Sequence, residues 1–77
     1  MPVPLSSLRA GQRAVIDSFT EIDPDMQRLM QMGVLEGSDV EIVRFAPSGD
    51  PIELKVMGYT LSLRREQASL ILVDDVS

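Results

Sequence analysis

The sequence predicts a mainly β fold: a small, highly bent sheet of five strands closing on itself as a barrel, with one α-helix inserted between the first and second strands. Three observations carry that prediction. Ile52, Leu54 and Val56 alternate with Glu53 and Lys55, the period-two pattern of a half-buried strand. Leu61 and Leu63 alternate with Thr60 and Ser62 just beyond Met57-Gly58. So short a connection makes an antiparallel hairpin, because a parallel return needs a crossover of about a dozen residues or more. Finally, Asp23-Pro24-Asp25 is a helix start. It offers an N-cap, a proline at the first helical position and an acid in the first turn.

In chain order, Met1-Pro2-Val3-Pro4 is extended, since its prolines disfavour a helix. Leu5 and Leu8, three apart and followed by Gly11, suit a single helical turn that closes one end of the core. Gln12–Phe19 reads as the first strand, with Ala14 and Ile16 on one face. Val15 and Phe19 fall on the other face, so that face is not cleanly polar. In the helix, Met26, Leu29 and Met30 form the apolar stripe, and Gln27, Arg28 and Gln31 fill the opposite side. Gly33 can take the left-handed position that ends it, with Val34 packing back on Leu29 or Met30. Leu35-Glu36-Gly37-Ser38 is a turn. A three-strand meander follows: Val40–Phe45, Ile52–Val56 and Tyr59–Leu63. The Pro-Ser-Gly-Asp-Pro loop joins its first two strands, and Met57-Gly58 joins its last two. Arg64–Ser69 is a polar link with room for one helical turn and Ala68 facing inward. Leu70–Val73 is the final strand, and residues 1–77 make a single domain. Strands this short, with turns this short, fit an SH3-like barrel, whose closure removes exposed edges.

Composition excludes whole classes of chemistry. The chain has no cysteine and no histidine. It therefore lacks a disulfide framework, a Cys-based zinc site and the commonest acid–base catalyst. Its serines have no histidine to activate them, so no catalytic residues are assigned. Ser48-Gly49-Asp50 lacks the framework of a phosphate-binding loop, and no cofactor is expected. A net charge of −5 opposes non-specific nucleic-acid binding. Arg28, Arg44, Arg64 and Arg65 read as a solvated rim, with Glu66 adjacent. No apolar run approaches the ~20 residues of a membrane span, and no signal-peptide pattern opens the chain.

Three segments, taken together, resemble one family. Arg28-Leu29-Met30-Gln31-Met32-Gly33-Val34-Leu35-Glu36-Gly37 is similar to its helix-end signature, Arg-Leu-x-x-Leu-Gly-x-x-Pro-Gly. Met32 replaces the usual Leu and Glu36 the usual Pro. Pro47-Ser48-Gly49-Asp50-Pro51 resembles its Pro-x-Gly-Asp-Pro loop, and Gly58–Arg64 its Gly-x-x-Leu-x-Leu-Arg strand. The family is FeoA, the ferrous iron transport protein A domain. The resemblance implies an SH3-like barrel that serves in the cytoplasm as an accessory of FeoB, a membrane iron transporter with a cytoplasmic G-protein domain. It also implies the free-standing form, because the chain has no room for a helix-turn-helix domain. The alternative is a stand-alone regulatory or self-associating domain, related to the C-terminal domain of iron-dependent repressors.

A partner surface is expected at the end of the helix. Met32 lies some 60° beyond Leu29, at the margin of the apolar arc, at about 100° per residue. Leu35 sits in a turn with no pattern to bury it. The two form a small apolar patch rimmed by Arg28, Gln31 and Glu36. The candidate metal ligands are only carboxylates, Glu21, Asp23, Asp25, Asp74 and Asp75, and Asp23 is better used as a cap. Ferrous sites commonly combine imidazole with carboxylate, so no metal site is assigned. The expected outcome of anaerobic calorimetry is the absence of any saturable ferrous site of micromolar or tighter affinity.

Overall fold

The computed structural model describes all 77 residues. In chain order they form β1 (Val3–Pro4), a 3-10 turn (Leu5–Ser7), β2 (Arg13–Phe19), α1 (Pro24–Gln31), β3 (Asp39–Phe45), β4 (Ile52–Val56), β5 (Tyr59–Leu63), α2 (Arg65–Ala68) and β6 (Ile71–Asp74). All strand pairs are antiparallel, in the order β1-β6-β2-β3-β4-β5. The meander and its hairpin lie where the alternation puts them, with Val56 opposite Tyr59 and Ile52 opposite Leu63. Ile52, Leu54 and Val56 are buried, while Leu61 is only half-buried beside buried Leu63.

Several expectations need adjustment. The sheet has a sixth strand: Val3 and Pro4 pair with Val73 and Leu72. The helix consequently falls between the second and third strands. The first, second and last expected strands shift by one residue at their ends, to Arg13, Asp39 and Ile71–Asp74. The polar link is indeed one helical turn, and Ala68 is buried in it. Its start is tied by Gln67, whose Oε1 accepts from the Arg64 N–H at 2.9 Å. Strand pairing does not close the sheet, because β1 and β5 stand at opposite ends of the order. At that side α2 packs on the 3-10 turn, and Leu5 is fully buried.

The aromatic residues that break the sequence alternation have a common explanation. In β2 the register shifts between Ile16 and Ser18, and in β3 between Ile42 and Arg44. Each shift puts one extra residue in its strand and reverses which face the following side chains occupy. Ala14 and Ile16 point inward before the first bulge, and Phe19 packs partly inward after it. Val40 and Ile42 are followed in the same way by Phe45, leaving Val43 outside. Two bulges thus bend the sheet and keep both phenylalanines against the core.

All 16 buried residues are apolar. Met26 and Leu29 attach α1 to this core, and its start is capped by Asp23, whose Oδ1 accepts from the Met26 N–H at 2.8 Å. Fully burying one Leu or Ile contributes about 1.5–3 kcal/mol, against a total of roughly 4–12 kcal/mol for a chain this size. Any one of Leu5, Ile42 or Leu54 is therefore a large share of the stability. No helix is long and apolar enough to cross a membrane.

The hairpin turn has positive φ at both central residues, 54° at Met57 and 83° at Gly58. That is the primed turn whose twist matches its strands. Nothing lies within 4 Å of a Cβ added to Gly58, so only backbone conformation resists substitution there. Gly58→Val should destabilise the fold by about 1–3 kcal/mol. For a domain of this size the melting temperature should fall by roughly 4–8 °C per kcal/mol. An unchanged midpoint in a thermal melt would contradict the turn geometry.

Candidate functional site

The end of α1 is built by hydrogen bonds that need a glycine. The Gly33 N–H donates to the Met30 carbonyl at 3.1 Å, and the Val34 N–H to the Leu29 carbonyl at 3.1 Å. This paired motif closes a helix when the residue between can turn left-handed, and Gly33 has φ +104°. The reversal drives Val34 into the core, where it is fully buried. It leaves Met32 and Leu35 outside, 37% and 45% exposed. The following turn is held by the Ser38 N–H on the Leu35 carbonyl, 3.0 Å, and by the Gly37 N–H on Ile16, 2.8 Å. The Ser38 hydroxyl donates back to the Gly33 carbonyl at 3.0 Å, which braces the loop against the helix end.

Of the expected partner residues, Met32 and Leu35 are exposed, and Arg28, Gln31 and Glu36 are exposed around them. Met32, at the margin of the helix's apolar arc, lies at the surface, whereas Met30 is half-buried against the core. The sequence reading missed Met57. A Cβ on Gly33 would stand 2.7 Å from the Met57 Cγ, so the hairpin tip lies directly over the glycine that ends the helix. Met57 nevertheless remains 71% exposed. Three exposed apolar side chains, Met32, Leu35 and Met57, therefore gather about Gly33. A signal was present: Met is a poor choice for a positive-φ position that Asn or Asp would fill with less strain.

An open cleft of about 880 Å³ continues from Met57 and Gly58 past Gly37 and Ser38 to Asp39 and Lys55. Its lining mixes both charge signs. The arginines do not assemble into an anion site. The Arg44 Nε lies 3.0 Å from the Glu53 carboxylate and the Arg64 Nε 3.8 Å from Asp50. Arg65 donates to the Gly49 carbonyl at 3.4 Å and stacks 5.9 Å from the centre of the Phe45 ring. Among carboxylates, Asp23 is occupied as the helix cap, and no group of three potential ligands converges. The arrangement offers shape and apolar surface at the helix end, not a cluster of reactive groups.

A family model described as the FeoA domain matches residues 3–75. A protein of Porphyromonas gingivalis, an Fe(2+) transport protein A/Fe(2+) transporter FeoB fusion, is 37% identical over 73 residues, which are 95% of this chain and 9% of that protein. The chain thus spans less than a tenth of that relative's length. The solution structure of the FeoA protein from Chlorobium tepidum superposes with a TM-score of 0.85 at 42% identity, covering 92% of this chain and 68% of the other. FeoA of Stenotrophomonas maltophilia, described as a prokaryotic SH3 domain protein and crystallised with zinc, gives 0.78 at 28% identity over 96% and 89%. A manganese-dependent transcriptional repressor shares the fold, with a TM-score of 0.83 at 21% identity over 95% of this chain and 36% of that one.

Met57→Asn separates a structural from a binding role for the hairpin tip. Asn adopts positive φ more readily, so the melting temperature of the variant should equal or exceed that of the parent. A fall of several degrees would show that Met57 is needed to hold the hairpin on the helix.

Proposed function

The chain belongs to the FeoA family of ferrous iron transport proteins, and from that membership we propose that it is a non-enzymatic cytoplasmic accessory that acts by touching the G-protein domain of a FeoB-type transporter. The observation that carries this reading is the fused relative, in which a segment like this chain and a FeoB transporter share one polypeptide. Covalent linkage holds two partners at high effective concentration, an arrangement useful when the two must meet. The apolar group around Gly33 is the contact this reading favours. It combines exposed Met32, Leu35 and Met57 with a polar rim at Arg28, Gln31 and Glu36. An apolar centre with a polar rim is the usual anatomy of a protein interface. Methionines suit it further, because their flexible, polarizable side chains adapt to a partner's surface.

Leu35→Asp tests the contact. Leu35 is 45% exposed, so a carboxylate there can stay hydrated and the fold should survive with a melting temperature near that of the parent. Binding to the isolated cytoplasmic part of the transporter, followed by calorimetry or pull-down, should fall at least tenfold, about 1.4 kcal/mol or more. Loss of the fold would mark Leu35 as structural. Unchanged stability with unchanged binding would move the contact elsewhere.

A further inference from the structure

The free edge of the sheet carries an inference independent of the transporter contact. β5 has a neighbour only on its β4 side. Val56 and Tyr59 flank the two-residue turn and are therefore a hydrogen-bonded pair. Alternation makes Leu54–Leu61 and Ile52–Leu63 the next bonded pairs. Thr60 and Ser62 consequently direct their N–H and C=O groups away from β4. None of the backbone bonds outside the ladders reaches those four groups.

Exposed edges are normally guarded by shortness, proline, charge or a bulge. The opposite edge obeys that rule: β1 has two residues, and one is Pro4. The β5 edge does not. Its five residues, Tyr-Thr-Leu-Ser-Leu, contain neither proline nor charge, and its register with β4 runs without a bulge.

We propose that β5 pairs with β5 of a second copy of this chain, antiparallel, about a twofold axis through Leu61. Register selects that axis. Thr60 and Ser62 flank Leu61, so the axis sets each Thr60 against Ser62 of the copy and forms four backbone hydrogen bonds. Pairing Thr60 with Thr60, or Ser62 with Ser62, forms only two. The same axis puts Leu61 against Leu61 of the copy as a close, non-bonded pair. It also sets Tyr59, 43% exposed, beside Leu63 of the copy. Charge agrees with the pairing. On the outer face Thr60 lies beside Lys55, and Ser62 beside Glu53. Each row across the new junction therefore has a lysine at one end and a glutamate at the other. Lys55, like Arg9, Arg28 and Arg65, makes no intrachain ion pair, while Glu53 already faces Arg44. Two chains of net charge −5 repel overall, and they meet here along a strand that carries none of that charge. So short a junction makes a weak, concentration-dependent dimer.

The absence of cysteine in the chain makes the test clean. Leu61→Cys places two thiols on the axis, with Cα atoms about 4.5 Å apart, within the range of a disulfide. Thr60→Cys places them roughly 8–9 Å apart, outside it. Under mild oxidation Leu61→Cys should form a covalent dimer at least about tenfold faster than Thr60→Cys. In parallel, sedimentation of the unsubstituted chain over a concentration series should show monomer and dimer. Ser62→Pro should weaken that dimer by roughly ten- to a hundredfold, because two of four hydrogen bonds go. The proline removes no intrachain bond, so the variant should stay folded. If Leu61→Cys does not fold, sedimentation of Ser62→Pro decides alone. A chain monomeric at every concentration, equal oxidation of the two cysteine variants, or a dimer indifferent to Ser62→Pro overturns the proposal. So does protection of the Leu61→Cys thiol by the transporter's cytoplasmic domain while the free chain stays monomeric, since the edge would then receive a strand from that partner.

Discussion

Gly33 is the residue on which both the interior and the surface of the helix end depend. Its φ of +104° reverses the chain, and its missing Cβ leaves space for the Met57 side chain. Any larger residue meets two obstacles at once: a backbone region that L-residues avoid and an atom 2.7 Å away. The first affects the core, because the reversal is what carries Val34 inward beside the stripe of Met26 and Leu29. The second affects the surface, because it allows the hairpin tip to lie over the helix end. One small residue thus couples a local helix stop to the docking of a hairpin more than twenty residues later.

Local chemistry made most of the architecture legible. Asp23-Pro24-Asp25 named the start of α1, and Gly33 named its end, because capping depends on near neighbours only. Ile52, Leu54 and Val56 declared β4 through period-two burial, and the short connection to Tyr59–Leu63 made the hairpin unavoidable. Less legible were features that arise between distant segments. β1 is only two residues long, too short for any period, and exists because β6 offers it an edge. The bulges after Ile16 and Ile42 were foreshadowed by Phe19 and Phe45 on the wrong parity, but a change of register belongs to a strand pair. The candidate site shows the same division. Met32 and Leu35 were visible because both sit within a few residues of the helix end. Met57 was not, since its neighbour Gly33 is far away in sequence.

The charged residues of this chain mostly serve its own surface. Arg44 and Glu53 face each other across β3 and β4, and Arg13 and Glu41 across β2 and β3. Pairs this exposed contribute little stability, typically 0–1 kcal/mol. With the Arg64–Asp50 pair, their effect is to neutralise three of the seven cations locally in a chain whose net charge is −5. Recognition by electrostatic attraction to nucleic acid or acidic lipid is therefore disfavoured. Recognition through apolar contact and backbone pairing is what remains well supplied, at the Gly33 cluster and along β5.

Those two surfaces share the β4–β5 hairpin, and the hairpin is also where the chain departs from local preference. A primed turn wants Asn or Asp before its Gly; this one has Met57 at φ 54°. Left-handed backbone in a residue with a Cβ costs roughly 1–2 kcal/mol, a noticeable part of a total near 4–12 kcal/mol. Burial returns only a fraction of that, since most of the Met57 surface still faces solvent. The strand that follows likewise lacks the charge, proline or bulge that would quiet its edge. Strain and unguarded polar groups concentrated in one element, within a fold otherwise consistent from capping to core, are the usual mark of a surface kept for a partner. The proposed transporter contact and the proposed strand pairing both draw on that hairpin, one at its tip and one along its edge, and the rest of the fold holds it in place.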